Sequence, residues 1–233
     1  MDVTAEQRRY ARIAGIVILV HFAMEALGDY PTILARSGES FAQTARYVVE
    51  HETLWRASLL SIGLAWISIA VLAFALYVVL EPVHKRLAQL ALILRLGGSF
   101  VGAASLMFRV AKAQIHLAST ATMFTPEQLA RLGSVTQTGA NAGVYTAWIF
   151  MGLGYTIFFV LFLRSRYLPR ALAGFGIVGS IVLVVVPLVS FAYPRYQGML
   201  KPVLLTSLLS ELATAVWLLS KGLRSEPHVV RSV

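Results

Sequence analysis

A histidine and two carboxylates, His21, Glu25 and Asp29, recur at every fourth residue of the first long apolar stretch of this chain. On a helix that spacing stacks them as one stripe along a single face. Such a stripe can relay a proton, hold a cation or line a water-filled path. Arg95 and Glu211 stand alone inside two other apolar stretches. A charge buried there is costly, so each needs a partner or a purpose. Arg109, Lys112 and His116 follow Arg95 at helical spacing, near the end of the same stretch.

Several chemistries are not expected from these residues. His21 with Glu25 has a spacing used in metal sites, but Glu211 or His116 would have to complete the ligand set, so no metal is expected. Haem needs opposed axial ligands, and His21 and His116 fall in opposite halves of span depth. Lys112 is too near a span end to carry a retinal-type Schiff base. The chain has no cysteine, which removes disulfides, thiolate metal sites and cysteine nucleophiles. It shows no Gly-rich phosphate loop, serine elbow or HExxH motif. No cofactor is expected, and an enzyme is the least favoured reading.

The elements that position these residues are membrane spans. The chain is 58% hydrophobic and only 13% charged, about half the charged share of an ordinary soluble domain. Candidate spans run over about 12–30, 54–80, 87–115, 139–163, 171–192 and 202–220. The expected fold is an all-α integral membrane protein. It has six transmembrane helices in a single domain over residues 1–233, and short helices in the outer loops. The first stretch, with Arg8, Arg9 and Arg12 before it, resembles a signal peptide. His21 and Glu25 interrupt it and no small-x-small site follows, so it reads as a retained span.

The net charge of +9 would suggest nucleic acid in a soluble protein, but here the basic residues flank spans, so nucleic acid is not an expected partner. Arg8, Arg9 and Arg12, then Lys85 and Arg86, then Arg164, Arg166 and Arg170, then Lys221, Arg224 and Arg231 all fall on one side. Both termini are therefore expected in the cytoplasm. In the first outer loop Phe41, Ala45 and Val48 share a helix face. In the second, Thr125, Pro126 and Gln128 form a helix start with a capping box. Both are expected as short helices on the outer surface.

Depth groups the charges. Counted from the cytoplasmic ends, His21, Arg95 and Glu211 each lie roughly 12–14 Å in, at a rise of about 1.5 Å per residue. Tyr155 and Ser180 reach the same depth. An Arg95–Glu211 ion pair with His21 nearby is expected, because a guanidinium fork suits a carboxylate. Glu25, Asp29, Arg109, Lys112 and His116 would line an outer vestibule. Gly98 with Gly102, Gly139 with Gly143, and the group Gly174, Gly176 and Gly179 suit close helix packing, either within one chain or in an oligomer. Pro187 is expected to kink the fifth span, and Trp55, Trp148 and Trp217 to anchor at the membrane interface.

The order of short motifs adds a resemblance. Arg12-Ile13-Ala14-Gly15 opens span one and Leu54-Trp55-Arg56 opens span two, which closes on Leu76-Tyr77-Val78-Val79-Leu80-Glu81-Pro82-Val83. Leu92-Ile93-Leu94-Arg95-Leu96, Phe124-Thr125-Pro126-Glu127-Gln128-Leu129, Gly154-Tyr155, Leu163 to Arg170 and Ser210-Glu211-Leu212-Ala213 follow, ending in Val216 to Gly222. Over about 10–223 the chain resembles the bacterial membrane family catalogued as domain-of-unknown-function family 4386. That family usually has a glycine where this chain has Ser210, and often a glutamate near Gly98 and Ser99. The resemblance implies a six-span bacterial inner-membrane protein and carries no assigned activity.

The expected function is binding or transport of a small molecule or ion through a polar pocket between spans one, three and six. The alternative is a structural or regulatory membrane subunit whose buried charges lock helix packing. The expected partners are the lipid bilayer, a small molecule, lipid or ion, and a second copy through the Gly-rich faces.

Overall fold

The computed structural model describes residues 3–35, 41–117 and 124–224, and among these the regular structure is entirely helical. The helices are α1 (Ala5–Ala35), α2 (Phe41–Glu50), α3 (Glu52–Leu80), α4 (Lys85–Leu117), α5 (Pro126–Ser165), α6 (Arg170–Ala192), the single turn α7 (Gln197–Leu200) and α8 (Leu205–Ser220). Six segments are long and apolar enough to cross a membrane: Ala5–Pro31, Glu52–Leu80, Lys85–Leu117, Pro126–Ser165, Arg170–Ala192 and Pro194–Ser220. Ile67, Ile93, Phe100 and Val216 remain 60–68% exposed, which is the arrangement lipid contact requires and water would penalise.

The predicted capping box at Thr125 forms, and a second, unpredicted one stands at Thr4. Gln128 N donates to Thr125 Oγ1 at 3.3 Å and Thr125 N donates to Gln128 Oε1 at 2.8 Å. The same reciprocal pair joins Thr4 and Gln7, at 3.1 and 3.0 Å, and starts α1 seven residues before the span expected at Arg12. Two satisfied N-terminal donors explain why helix begins there.

The helix that starts at Pro126 is not a separate outer-loop helix. It runs 40 residues without a break into the fourth span. No proline follows Pro126 to interrupt it, and the polar run complies. Thr136 and Thr138 turn their hydroxyls back to the carbonyls of Leu132 and Ser134, which keeps their oxygens from competing for other conformations. The helix expected between the first two spans is α2, with Ala45 and Val48 buried as its periodicity predicts. Pro187 lies buried inside a continuous α6.

The chain divides into two compact units. One comprises residues 1–19, 69–97 and 148–233, the other residues 20–68 and 98–147. In the first, Leu72, Leu76, Val79, Phe158, Phe162 and Leu218 form an apolar core. Gln7 is buried there, donating to Val79 O at 2.9 Å and to the Tyr167 hydroxyl at 3.2 Å. In the second, Val48, Trp55 and Ala113 cluster, with Tyr47, Leu59 and Leu117 packed around them. Trp55 is thus a core residue and not an interface anchor.

The small residues work inside the chain. The Trp66 ring fills the space a side chain at Gly102 would need, and Phe108 and Ser105 do the same at Gly139 and Gly143. Phe159 covers Gly176, while Ser210 and Ser207 close on Gly179. Gly174 alone of its group faces open space.

Candidate functional site

The deep polar layer of the first unit is built on α4, α5 and α8. Gly154 on α5 lacks the Cβ that would come within 2.7 Å of Arg95 Cγ and 2.9 Å of Ala91 O. The arginine stem occupies that gap and delivers its guanidinium to the next residue, Tyr155. The guanidinium carbon stands 3.7 Å from the centroid of the Tyr155 ring. The Tyr155 hydroxyl donates to Glu211 Oε2 at 2.7 Å, and Ser207 Oγ donates to Glu211 Oε1 at 3.4 Å.

The expected direct fork between Arg95 and Glu211 is therefore replaced by a bridge. Arg95 is fully buried and none of its three side-chain nitrogens has a hydrogen-bond partner among the described residues. It meets the negative face of a ring whose hydroxyl leans on the carboxylate. A desolvated cation–π contact of this kind is worth about 2 kcal/mol or more. The space beside this bridge is small: a void of about 10 Å³ bounded by Ile18, Leu76, Tyr155, Phe158, Glu211 and Thr214. That admits about one water.

Ser180, expected in this layer, is buried and joins a neighbour of the bridge. It accepts from Thr156 Oγ1 at 3.0 Å and donates to Ile177 O at 2.9 Å. His21 belongs to the other unit. Its Nδ1 lies 3.1 Å from Ala65 O and 3.3 Å from Ser68 Oγ, and its Nε2 lies 3.7 Å from Glu25 Oε2. A carbonyl can only accept, so Nδ1 carries a hydrogen. Nε2 then attracts Glu25 only when a proton is held by one of the two.

The second unit also holds the residues expected to line a vestibule. Arg109 Nη1 pairs with Asp29 Oδ1 at 2.8 Å, joining α4 to α1. Lys112 Nζ donates to Gln137 Oε1 at 2.7 Å, and Gln137 Nε2 donates to Asn141 Oδ1 at 2.9 Å. These side chains, with Trp55 and Ser58, line a cavity of about 220 Å³. Glu25 does not reach it. It is partly exposed on α1, one turn before Asp29.

His116 is buried against aromatic rings. Its ring stacks on Phe41 at 4.9 Å and meets Trp55 edge-on at 6.4 Å. Neither of its nitrogens, nor Trp55 Nε1, has a partner among the described residues.

Gln137 precedes the fourth span expected over 139–163, and Asn141 falls in its first turn, where a polar side chain reads as a span end. Their spacing of four, which repeats that of Lys112 and His116, was the available signal. Gln7 was missed with its capping box.

Comparison with curated proteins and with solved structures gives no match. A family model described as Domain of unknown function (DUF4386) matches residues 13–222, which is nearly the whole chain, and this multi-span membrane protein belongs to that family.

Proposed function

We propose that this protein binds, or binds and transports, a small polar molecule within the membrane, in the cavity that Asp29, Arg109, Lys112, Gln137 and Asn141 line. One observation carries the reading. In a chain with few charges, ionisable and amide side chains from three helices converge on a space of about 220 Å³. Polar groups in spans are kept where they face one another or water. The volume lies below the roughly 300–1,000 Å³ of sites for drug-sized ligands, so the ligand is small.

The pocket first expected between spans one, three and six is supported less well. The void beside Glu211 holds about 10 Å³, too little for anything but a water. That favours a structural role for Arg95, Tyr155 and Glu211, which hold α4, α5 and α8 together. The basic clusters favour a bacterial inner-membrane protein with cytoplasmic termini, which would put the Asp29 end of α1 on the outer side.

A thermal-shift screen of purified protein against small anions, cations and zwitterions tests the binding reading. A ligand that binds only the folded state stabilises it by RT ln(1 + [L]/Kd). At least one class should raise Tm, and Asn141→Leu, which fills the cavity, should abolish the rise. Stabilisation by no class, or a rise unaffected by Asn141→Leu, would sink the proposal.

A further inference from the structure

We infer that the turn between α5 and α6 seats an anionic phospholipid, with Arg164 and Arg170 on its headgroup and an acyl chain along Gly174, Val178 and Ile181 of α6. This seat lies in the first unit and needs nothing from the cavity of the second.

The turn is pinned from inside. Tyr167 and Leu168 are buried. The Tyr167 hydroxyl accepts from Gln7 Nε2 at 3.2 Å, and its carbonyl accepts from Arg224 N at 3.0 Å. Its own N–H donates to Ser165 Oγ at 3.4 Å. Arg166 takes a left-handed conformation, φ 58°, of the kind that ends helices and usually falls to glycine. With Tyr167 and Leu168 turned inward, Arg164, Arg166 and Arg170 are all exposed on the one turn. Arg164 and Arg170 have no ion pair or side-chain hydrogen bond among the described residues.

The sign of the partner follows from the sequence. No Asp or Glu occurs between Glu127 and Glu211. The chain ends joined to the turn through Gln7 and Arg224, residues 1–12 and 221–233, carry three acids, Asp2, Glu6 and Glu226, against six basic residues. The balance is positive wherever those acids stand. Guanidinium forks suit phosphate oxygens. The apolar face below the turn makes that phosphate a lipid's. Arg170 is the first residue of α6, which is long and apolar enough to cross a membrane. Gly174, Val178 and Ile181 follow it at helical spacing on the same face. Val178 and Ile181 are exposed, and a Cβ at Gly174 would meet nothing within 4 Å. The arginine thus heads an apolar strip with a shallow gap at its top. A free phosphate or a nucleic acid would leave that strip idle, whereas a phospholipid uses both. Arg12 with Ile16 on α1, and Arg86 with Leu90 on α4, repeat the step from exposed arginine to exposed apolar residue within one turn. That step is where a headgroup layer meets hydrocarbon.

Lipid binding to the purified full chain in detergent, read by native mass spectrometry, tests this. Dioleoylphosphatidylglycerol should bind about tenfold tighter, or more, than dioleoylphosphatidylcholine, which has the same tails and no net charge. Glycerol 3-phosphate, a headgroup without tails, should not compete at equal concentration. An arginine near a membrane surface is worth roughly fivefold, so Arg164→Gln combined with Arg170→Gln should weaken phosphatidylglycerol binding about twenty- to thirtyfold. The same pair of changes should leave phosphatidylcholine binding as it was. Gly174→Phe, which fills the gap on the strip, should weaken phosphatidylglycerol severalfold. Arg195→Gln, beyond the other end of α6, should change neither lipid. Equal binding of the two lipids, or competition by glycerol 3-phosphate or a single-stranded oligonucleotide, would overturn the seat. So would binding unchanged in the double variant or in Gly174→Phe, or an equal loss in Arg195→Gln. If a variant fails to fold, the choice that the wild-type protein makes among the two lipids and the two competitors decides.

Discussion

The guanidinium of Arg95 stands 3.7 Å over the ring of Tyr155 and finds no hydrogen-bond partner among the described residues. Tyr155 in turn gives its hydroxyl hydrogen to Glu211 at 2.7 Å. A tyrosine thus serves two opposite charges at once, its face to the cation and its hydroxyl to the anion. Each charge is compensated without touching the other, and three helices are tied in the process.

Removing parts of this bridge should cost stability in a graded way. Tyr155→Phe keeps the ring under Arg95 and withdraws the hydroxyl from Glu211, for a loss of about 1–3 kcal/mol. Arg95→Leu leaves the carboxylate without its cation and should cost about 3–5 kcal/mol. The double change Arg95→Leu with Glu211→Leu should cost less than the sum of its parts. Thermal denaturation in detergent measures the cycle. A Glu211→Gln protein that melts like wild type would remove the structural role.

Glycine substitutions should sort by what each would meet. Gly102→Ala collides with the Trp66 ring and Gly154→Ala with the Arg95 stem, for about 1–3 kcal/mol each from overpacking. Gly174→Ala meets nothing within 4 Å and should be neutral or stabilising by up to about 1 kcal/mol through helix propensity. Melting temperatures of the three variants give the order directly.

Gln7→Leu should destabilise the first unit by about 1–3 kcal/mol. It strips the buried Tyr167 hydroxyl and Val79 carbonyl of a donor and removes the acceptor of the Thr4 N–H, half of the capping box. Faster proteolysis near the N-terminus, compared with Gln7→Glu and wild type, would report a loosened α1.

The absence of cysteine makes single cysteines clean reporters of the cavity that Gln137 and Asn141 line. Asn141→Cys and Gln137→Cys should react with a membrane-impermeant thiol reagent added to the outer side. Ile93→Cys, 65% exposed on an apolar face, should not. Labelling of Asn141→Cys from the cytoplasmic side alone would reverse the proposed orientation.

A pH effect is expected at the turn between α3 and α4. The Lys85 ammonium, 2.9 Å from Glu81, and then the Tyr77 hydroxyl hold the Glu81 carboxyl below the usual carboxylate range. A depressed carboxyl contributes stability that is complete above its unfolded-state pKa and is lost as pH falls through the folded value. Glu81→Gln should therefore flatten the acid limb of the stability curve slightly. An unchanged limb would show that the pair contributes nothing there.

The six spans, the buried face of α2 and the start at Thr125 were legible in the amino-acid sequence, because each depends on residues within one or two turns of each other. Hydropathy over about twenty residues, a repeat of three to four, and a cap with its partner three places on are all local quantities. Family membership was legible too, from the order of motifs between Arg12 and Gly222.

Depth along each helix grouped Arg95, Tyr155 and Glu211 with His21 and Ser180, but depth is one coordinate of three. Whether Arg95 would meet a carboxylate or a ring face depended on which backbones approach closely. Gly154 decided that by leaving room for the arginine stem. The same limit applies to Trp55: a tryptophan at a span start suits an interface or a core equally well. Only α2 and Ala113 closing on it made it core, and left its N–H with no hydrogen-bond partner among the described residues. Local pattern determined the elements and the charges they carry. Tertiary packing decided which charges meet, through what intermediary, and where space is left for a ligand.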